Sequence, residues 1–558
     1  MSHPHALDGR RRTSQPGIGM AIIEDSRLMK WLWALSLAAA LVLAAANIYF
    51  GELNQDEGWY LYAAKLVSQG KLPYLDFATT QGPVMPFVYA AAQPLVGLLG
   101  VAGGRLFTAL LGFAAAFAAA WLAACLAGGV ARQRAGAAAF IAFTLIGVNV
   151  YQSYYTSVVK TYSLTSLLLA LGFVALSGVD GRRGALKAAL SGVLLALAAG
   201  TRASAVFALP AVFLVLLYRG FRQGSQRCVP FAAGGLIMLC ALFVPFACLA
   251  PRGLWFALAE YHAGREVGGL LTHLAYKAGF VSRTVQAYFA AFVLLTFVVV
   301  FRIAGGVGKK GRSGADVEDE TGDKTGGGIG PAIVALWLSI LAVSAVHFMA
   351  PFPYEDYQVI VYPLFAAALA VSLVSVLPSR FAVAAAVAVF VVAGLSSISS
   401  PINQNWFVGK RDRIWWPLKE VSPLRVLQRT AQRVGELGKP CELLLTQDPY
   451  LAVETGMNLP AGMELGQFCY FPDWSREKAE SCHVLNREMF FELLETVEAP
   501  VAAFSGYGLA IRSPQVSQLA EEEQRELWEI VEERYEPCFE VEPFGQADTR
   551  LRVLVRSR

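Results

Sequence analysis

Apolar stretches of about 20 residues recur along this chain, and each is long enough to cross a bilayer as a helix. In lipid every backbone polar group must be satisfied within the structure, which makes spanning runs of this kind helical. The runs lie at 31–50, 104–128, 135–150, 160–178, 185–201, 203–218, 229–250, 285–303, 331–350, 358–378 and 380–398. Charged residues make up only 16% of the chain and hydrophobic residues 56%. An ordinary soluble domain is about one quarter charged. The expected fold class is therefore an α-helical polytopic membrane protein with about 11 transmembrane helices.

One further apolar piece, Val84–Gly100, is short and interrupted by Pro86 and Pro94. If it crossed, Arg182, Arg183, Lys187, Arg219, Arg222, Arg227, Lys309, Lys310 and Arg312 would all fall outside. If it lies on the outer membrane surface, all of them are cytoplasmic, as the positive-inside rule requires. This choice puts the N-terminus inside and the C-terminus outside. Residues 1–30 then form a disordered cytoplasmic arm, and 31–50 is a signal anchor despite the cleavage-like Ala44-Ala45-Ala46. The spans occupy 31–402, with a first outer loop at 51–103 that carries surface helix 84–100. A Gly-rich segment, 304–330, is a flexible cytoplasmic loop.

Charge divides the chain in two. Residues 1–419 carry 32 Lys and Arg against 18 Asp and Glu, a balance of +14, whereas residues 420–558 carry 14 against 24, a balance of −10. The basic excess belongs to membrane loops and reports orientation, so nucleic acid is not an expected partner. Beyond residue 402 hydropathy collapses. Strand-like runs at Cys441–Gln447, Val501–Gly506, Cys538–Val541 and Leu551–Val555 alternate with helical patterns at 424–437, 487–497 and 518–535. This predicts an extracytoplasmic α/β domain over 403–558. Its four cysteines, Cys441, Cys469, Cys482 and Cys538, either pair in one of three ways or stay buried as thiols.

The polar residues that need explaining collect on the outer rim. Asp56 and Glu57 are adjacent carboxylates where the first span leaves the bilayer, and two acids in one small site push each other's pKa values apart. The same rim receives Asn54, Tyr60, Asp76, Lys160, Tyr162, Arg202, His262, Arg265, Glu266, Tyr354, Glu355, Asp356 and Tyr357. A carboxylate there can accept a proton from an attacking hydroxyl, and cations can hold a departing phosphate. The sequence contains no phosphate-binding P-loop and no metal-ligand cluster.

The stretch Asn54–Gly58, then Gly70-x-x-Pro73-Tyr74-x-Asp76-Phe77, then Gly82-Pro83, resembles the first outer loop of GT-C glycosyltransferases. The similarity is to the bacterial, family 39-like branch related to protein O-mannosyltransferases and lipid A aminoarabinose transferases. It implies an inverting sugar transfer from a polyprenyl-phosphate donor to a hydroxyl of a glycan, lipid or protein, on the outer face of the cytoplasmic (inner) membrane. It also implies that Asp56 is the catalytic base, with Glu57 assisting. Lys160 and Arg202 are expected to bind the donor phosphate. Asn54, Tyr60, Asp76, His262, Tyr354, Glu355 and Asp356 are expected around the substrates. Many relatives have a second Asp where this chain has Lys160, which leaves a requirement for a divalent cation open and makes Tyr354–Tyr357 the candidate replacement acid site. The competing reading is a transporter or flippase of lipid-linked glycans, with Asp56 as a coupling group.

Overall fold

The computed structural model describes residues 17–128, 132–224, 226–264, 268–310, 331–378, 381–399, 420–440, 442–506, 508–509, 511–513, 517–546 and 549–557. Apolar helices occupy all the expected positions. α1 (Gly17–Phe50) is followed by α2 (Gln55–Ser68), α3 (Val84–Ala90), α4 (Gln93–Leu99), α5 (Val101–Ala127), α6 (Arg132–Gly147), α7 (Val150–Tyr155), α8 (Tyr162–Ser177), α9 (Gly184–Thr201), α10 (Ala208–Gln223) and α11 (Cys228–Leu249). Then come α12 (Pro251–Trp255), α13 (Tyr261–Ala263), α14 (Leu270–Ala287), α15 (Phe289–Lys310), α16 (Pro331–Met349), α17 (Tyr362–Val376) and α18 (Ala382–Ser399). Among the described residues six helices are long and apolar enough to cross a membrane alone, and α14 with α15 forms one bent pair. Four shorter apolar helices complete the bundle. It is a multi-pass membrane protein.

Three local features depart from the sequence reading. α1 begins at Gly17, so residues 17–30 continue the first helix instead of forming a disordered arm. Extending an existing helix is cheap once its nucleus is paid for. Residues 1–16 lie outside the described residues. Val84–Gly100, expected as one surface helix, is two helices of seven residues. After the break at Ala91-Ala92, Pro94 stands in the first turn of the second helix, where its missing N–H costs nothing. Finally, residues 270–287 form an extra helix that turns through 88° at Tyr288 into α15. The cytoplasmic-loop expectation falls largely on 311–330, which lies outside the described residues.

The C-terminal domain opens with α19 (Pro423–Leu437), N-capped by Ser422, and continues through β1 (Leu444–Thr446), α20 (Pro449–Thr455), α21 (Arg476–Ser481), α22 (Arg487–Thr496) and β2 (Val501–Phe504). A small ribbon, β3 (Ile511–Arg512) and β4 (Ser517–Gln518), precedes α23 (Glu521–Arg534), β5 (Tyr535–Phe544) and β6 (Thr549–Arg556). The main sheet runs β1-β2-β6-β5, with β1 parallel to β2 and the other pairs antiparallel. β2 is buried throughout, as its uninterrupted Val-Ala-Ala-Phe sequence requires of a central strand. Among the cysteines expected to pair or stay buried, Cys469, Cys482 and Cys538 are free thiols, the first two buried and the last exposed. Cys441 lies outside the described residues.

Domain and bundle share one apolar core that includes Tyr60, Leu61 and Tyr62 of α2 together with Leu427, Leu444, Tyr450 and Val553. Gly58 is the point of closest approach: a Cβ there would sit 2.3 Å from the Tyr450 backbone nitrogen. Lys65 donates to the carbonyls of Gly456 and Met457, at 3.3 and 2.9 Å. The Glu454 carboxylate accepts from Val101 N at 2.7 Å, at the N-terminus of α5, where the helix dipole favours an anion. α2 is thus clamped between the bundle and the domain.

Candidate active site

α2 starts because Asn54 caps it. Its side chain accepts from Asp56 N at 3.1 Å, while Glu57 Oε1 accepts from Asn54 N at 3.0 Å, a reciprocal capping box. This cap fixes the directions of the two acids. Consecutive helical residues point about 100° apart, so Asp56 and Glu57 do not share a site as the sequence suggested.

Glu57 turns into the bundle and is 0% exposed. Arg105 donates to it twice, Nε to Oε2 at 2.8 Å and Nη2 to Oε1 at 2.6 Å. Arg105 also donates to the carbonyls of Ile48, Gly51 and Glu52, which close the end of α1. Glu57 Oε2 accepts from Val159 N at 3.2 Å as well. A buried, bidentate, fully hydrogen-bonded pair holds backbone in place. Here it locks α1, α2, α5 and the segment before Lys160 together. Arg105 was not foreseen, yet it is the single charge in the 27 residues of α5, and a lone cation beside lipid needs a partner.

Asp56 points the other way, and its side chain is 28% exposed. Lys160 Nζ lies 3.1 Å from Asp56 Oδ2 and 3.2 Å from Asp356 Oδ2. Asp356 Oδ2 also accepts from the Tyr162 hydroxyl at 2.8 Å, whereas its Oδ1 is buried without a partner. Asp356 sits in a 3₁₀ turn (Glu355–Ile360) that brings it 196 residues along the chain to Lys160. The turn is anchored by Arg283 Nε donating to Glu355 Oε2 at 2.8 Å and by Gln152 Nε2 donating to the Val359 carbonyl at 3.2 Å. Burial raises the carboxyl pKa of Glu355 while Arg283 opposes the shift.

Arg202 follows α9 in extended backbone, φ −144°, which ends the helix at the site. Its guanidinium lies 4.9 Å from the Tyr162 ring and 4.6 Å from the Tyr357 ring, stacked between aromatic faces. Nη1 donates to Thr161 Oγ1 at 3.2 Å, and Nε is buried without a hydrogen-bond partner. Among the described residues Arg202 pairs with no carboxylate. The geometry therefore assembles Asp56, Lys160, Arg202 and Asp356 around Tyr162, with buried polar atoms left open on both an acid and a base.

The other expected residues divide. Tyr60 is buried on α2, and its hydroxyl is held protonated first by burial and then by the nearby Asp56 carboxylate. Tyr354 starts the 3₁₀ turn and packs its ring against Tyr357 at 5.6 Å. Asp76, by contrast, is exposed and folds back to accept from Leu72 N at 2.7 Å, closing its own turn. His262 Nε2 lies 3.0 Å from the Thr80 carbonyl and ties α13 to the first loop. Glu355 is spent on Arg283. Arg265 and Glu266 lie outside the described residues. Among the described residues no group of three or more His, Cys, Asp or Glu side chains is placed to hold a metal ion.

With this geometry in hand, the solved structures decide the fold. The chain has the fold of ArnT. It superposes on ArnT from Cupriavidus metallidurans in the apo state with a TM-score of 0.58 and 13% identity, covering 93% of this chain and 97% of that one. ArnT from the same organism bound to undecaprenyl phosphate gives 0.55 and 12%, covering 96% and 98%. No protein-family model matches the chain, and neither does any curated protein sequence. The bundle with its C-terminal domain is thus the architecture that the first-loop resemblance implied.

Proposed function

We propose that the chain is a membrane glycosyltransferase that moves a sugar from a polyprenyl-phosphate donor to a hydroxyl of a glycan, lipid or protein. The observation that carries this reading is a partly exposed carboxylate, Asp56, paired with Lys160 in a cluster whose second cation, Arg202, has no acid of its own among the described residues. A lipid phosphate fits the guanidinium that lacks an acid, and a structure of similar fold holds undecaprenyl phosphate. The orientation follows from the chain path. The loop after α8, with Arg182 and Arg183, and the last turns of α10, with Arg219 and Arg222, meet through the Arg219–Asp180 pair at the end of the bundle opposite the site. By the positive-inside rule that end is cytoplasmic, and the site and domain face outward.

In the reaction the acceptor hydroxyl gives its proton to Asp56 as its oxygen attacks the anomeric carbon. The bond from that carbon to the phosphate oxygen breaks on the opposite face, which inverts the configuration. Lys160 fixes Oδ2 of Asp56, so Oδ1 is free to receive the proton. An ammonium has three N–H donors. Two face Asp56 and Asp356, and the third, with Arg202 Nε, meets the negative charge that grows on the departing phosphate. Phosphate is a good leaving group and needs no general acid.

The test is Asp56→Asn in purified protein reconstituted in lipid, with transfer followed from a radiolabelled polyprenyl-phosphate sugar. A positioned base is worth roughly 10²–10⁴ in rate, or about 3–5 kcal/mol of barrier. Turnover should fall by that factor while binding of polyprenyl phosphate survives. Transfer at a near wild-type rate would refute the assignment and favour a transporter.

A further inference from the structure

We infer that the Lys160 ammonium occupies the place a divalent cation would take between two carboxylates, so that the transfer needs no metal. The inference rests on the glycosyltransferase reading for its activity test but on geometry for its content. A metal site built from oxygen ligands requires carboxylates that converge on one point, with each oxygen about 2.0–2.6 Å from the ion. Asp56 Oδ2 and Asp356 Oδ2 do converge, and the atom at their meeting point is Lys160 Nζ, 3.1 and 3.2 Å away. Those are hydrogen-bond lengths for an ammonium.

Four features make Lys160 a built part of the site instead of a mobile surface cation. It is 8% exposed. Its nitrogen lies 5.5 Å from the Tyr155 ring and 5.4 Å from the Tyr162 ring, so aromatic faces line its stem. The Tyr162 hydroxyl shares Asp356 Oδ2 with it. Its backbone is held through Val159 N, which donates to the buried Glu57. A divalent ion added beside this ammonium would meet a like charge, with the Arg202 guanidinium also close by, 4.9 Å from the Tyr162 ring. Repulsion between charges of +1 and +2 is twice that of two unit charges at the same distance. The residues present therefore do not fit a metal. They fit a protein-borne cation that bridges the acids and still has one donor for phosphate. Asp356 is then a positioning residue, acting on the reaction through Lys160.

The same geometry predicts what happens when the ammonium is removed. Lys160→Ala leaves two convergent carboxylates without a cation, which is half of an oxygen-ligand site for Mn²⁺ or Mg²⁺. The experiment uses the full-length protein in lipid nanodiscs and has two arms. Wild-type transfer, measured after EDTA treatment and again with added Mn²⁺, should be unchanged. Mn²⁺ binding, read by electron paramagnetic resonance, should be weak in the wild type and at least about tenfold tighter in Lys160→Ala, then lost again in Lys160→Ala/Asp356→Asn. Loss of wild-type transfer on chelation with recovery on Mn²⁺ would overturn the inference. So would wild-type Mn²⁺ binding equal to that of Lys160→Ala, or no gain in binding in a folded Lys160→Ala protein. If Lys160→Ala does not fold, the chelation arm and wild-type Mn²⁺ binding still decide. If the wild type transfers no sugar at all, the function is wrong, and the binding arm judges the bridge separately.

Discussion

Replacing Glu57 by Gln separates the two adjacent acids. Glu57 accepts four hydrogen bonds: two from Arg105, one from Asn54 N and one from Val159 N. Glutamine keeps one oxygen but turns the other acceptor into a donor that faces an N–H. It also leaves the Arg105 guanidinium, 0% exposed, without a carboxylate. Breaking a buried pair by removing one partner costs about 3–5 kcal/mol. The four carbonyls that Arg105 keeps, those of Asn47, Ile48, Gly51 and Glu52, favour the lower end, about 3 kcal/mol. At roughly 2–4 °C per kcal/mol in domains of 150–250 residues, the apparent unfolding midpoint in detergent should fall by at least about 5 °C. Asp56→Asn should behave in the opposite way. Lys160 retains Asp356, no buried charge is orphaned, and the midpoint should stay within about 1–2 °C while turnover collapses. The assay is thermal unfolding and radiolabelled transfer on the same preparations. A Glu57→Gln protein with wild-type stability and the turnover defect of Asp56→Asn would refute the division of labour and place Glu57 at the substrate.

Two further outcomes follow from the same structure. Arg202→Ala should weaken polyprenyl-phosphate binding by about 1.5–3 kcal/mol, the worth of a hydrogen bond to a charged group, in an equilibrium titration with the fold intact; unchanged affinity would remove Arg202 from the phosphate site. In the C-terminal domain, burial raises the Asp448 carboxyl to about 6, against hydrogen bonds from Tyr450 and Ser505 that favour the anion. The folded state then binds the extra proton between pH 4 and pH 6, so this group's contribution to stability falls as pH rises through that window, by on the order of 3 kcal/mol in full. Asp448→Asn should flatten the fall in unfolding midpoint between about pH 4 and 6. Equal slopes in mutant and wild type would show that Asp448 is not the group responsible.

Much of the fold was legible because membrane solvent allows few answers. The apolar runs map onto helices, Val84–Gly100 with its two prolines forms only short helices, and the strands of the main sheet appear where β-rich runs stand in the sequence. Legibility ended where position depends on partners far along the chain. The meeting of Lys160 with Asp356 spans 196 residues, and nothing local to either announces it, although both stood on the expected rim. The 88° turn at Tyr288 was invisible for a similar reason. Tyr288 is held by Gln152, whose side chain accepts its hydroxyl at 3.0 Å, so the bend is fixed by tertiary contacts and not by a local breaker.

The adjacent acids carry the more general lesson. Side by side in sequence, Asp56 and Glu57 suggest a shared site. Placed on the first turn of a helix, they cannot share one, because each step rotates the side chain by about 100°. Asn54 followed three residues later by Glu57 is itself the signature of that helix start. The capping box therefore already assigned Glu57 to structure before any partner was known. The next residue completes the turn. Gly58 has no side chain because the Tyr450 backbone of the C-terminal domain occupies that space. Three consecutive residues thus address three different bodies: Asp56 the reaction site, Glu57 the buried Arg105 of the bundle, and Gly58 the domain that covers them. The placement of the Asp56 carboxylate, the base of the proposed transfer, depends on the other two contacts.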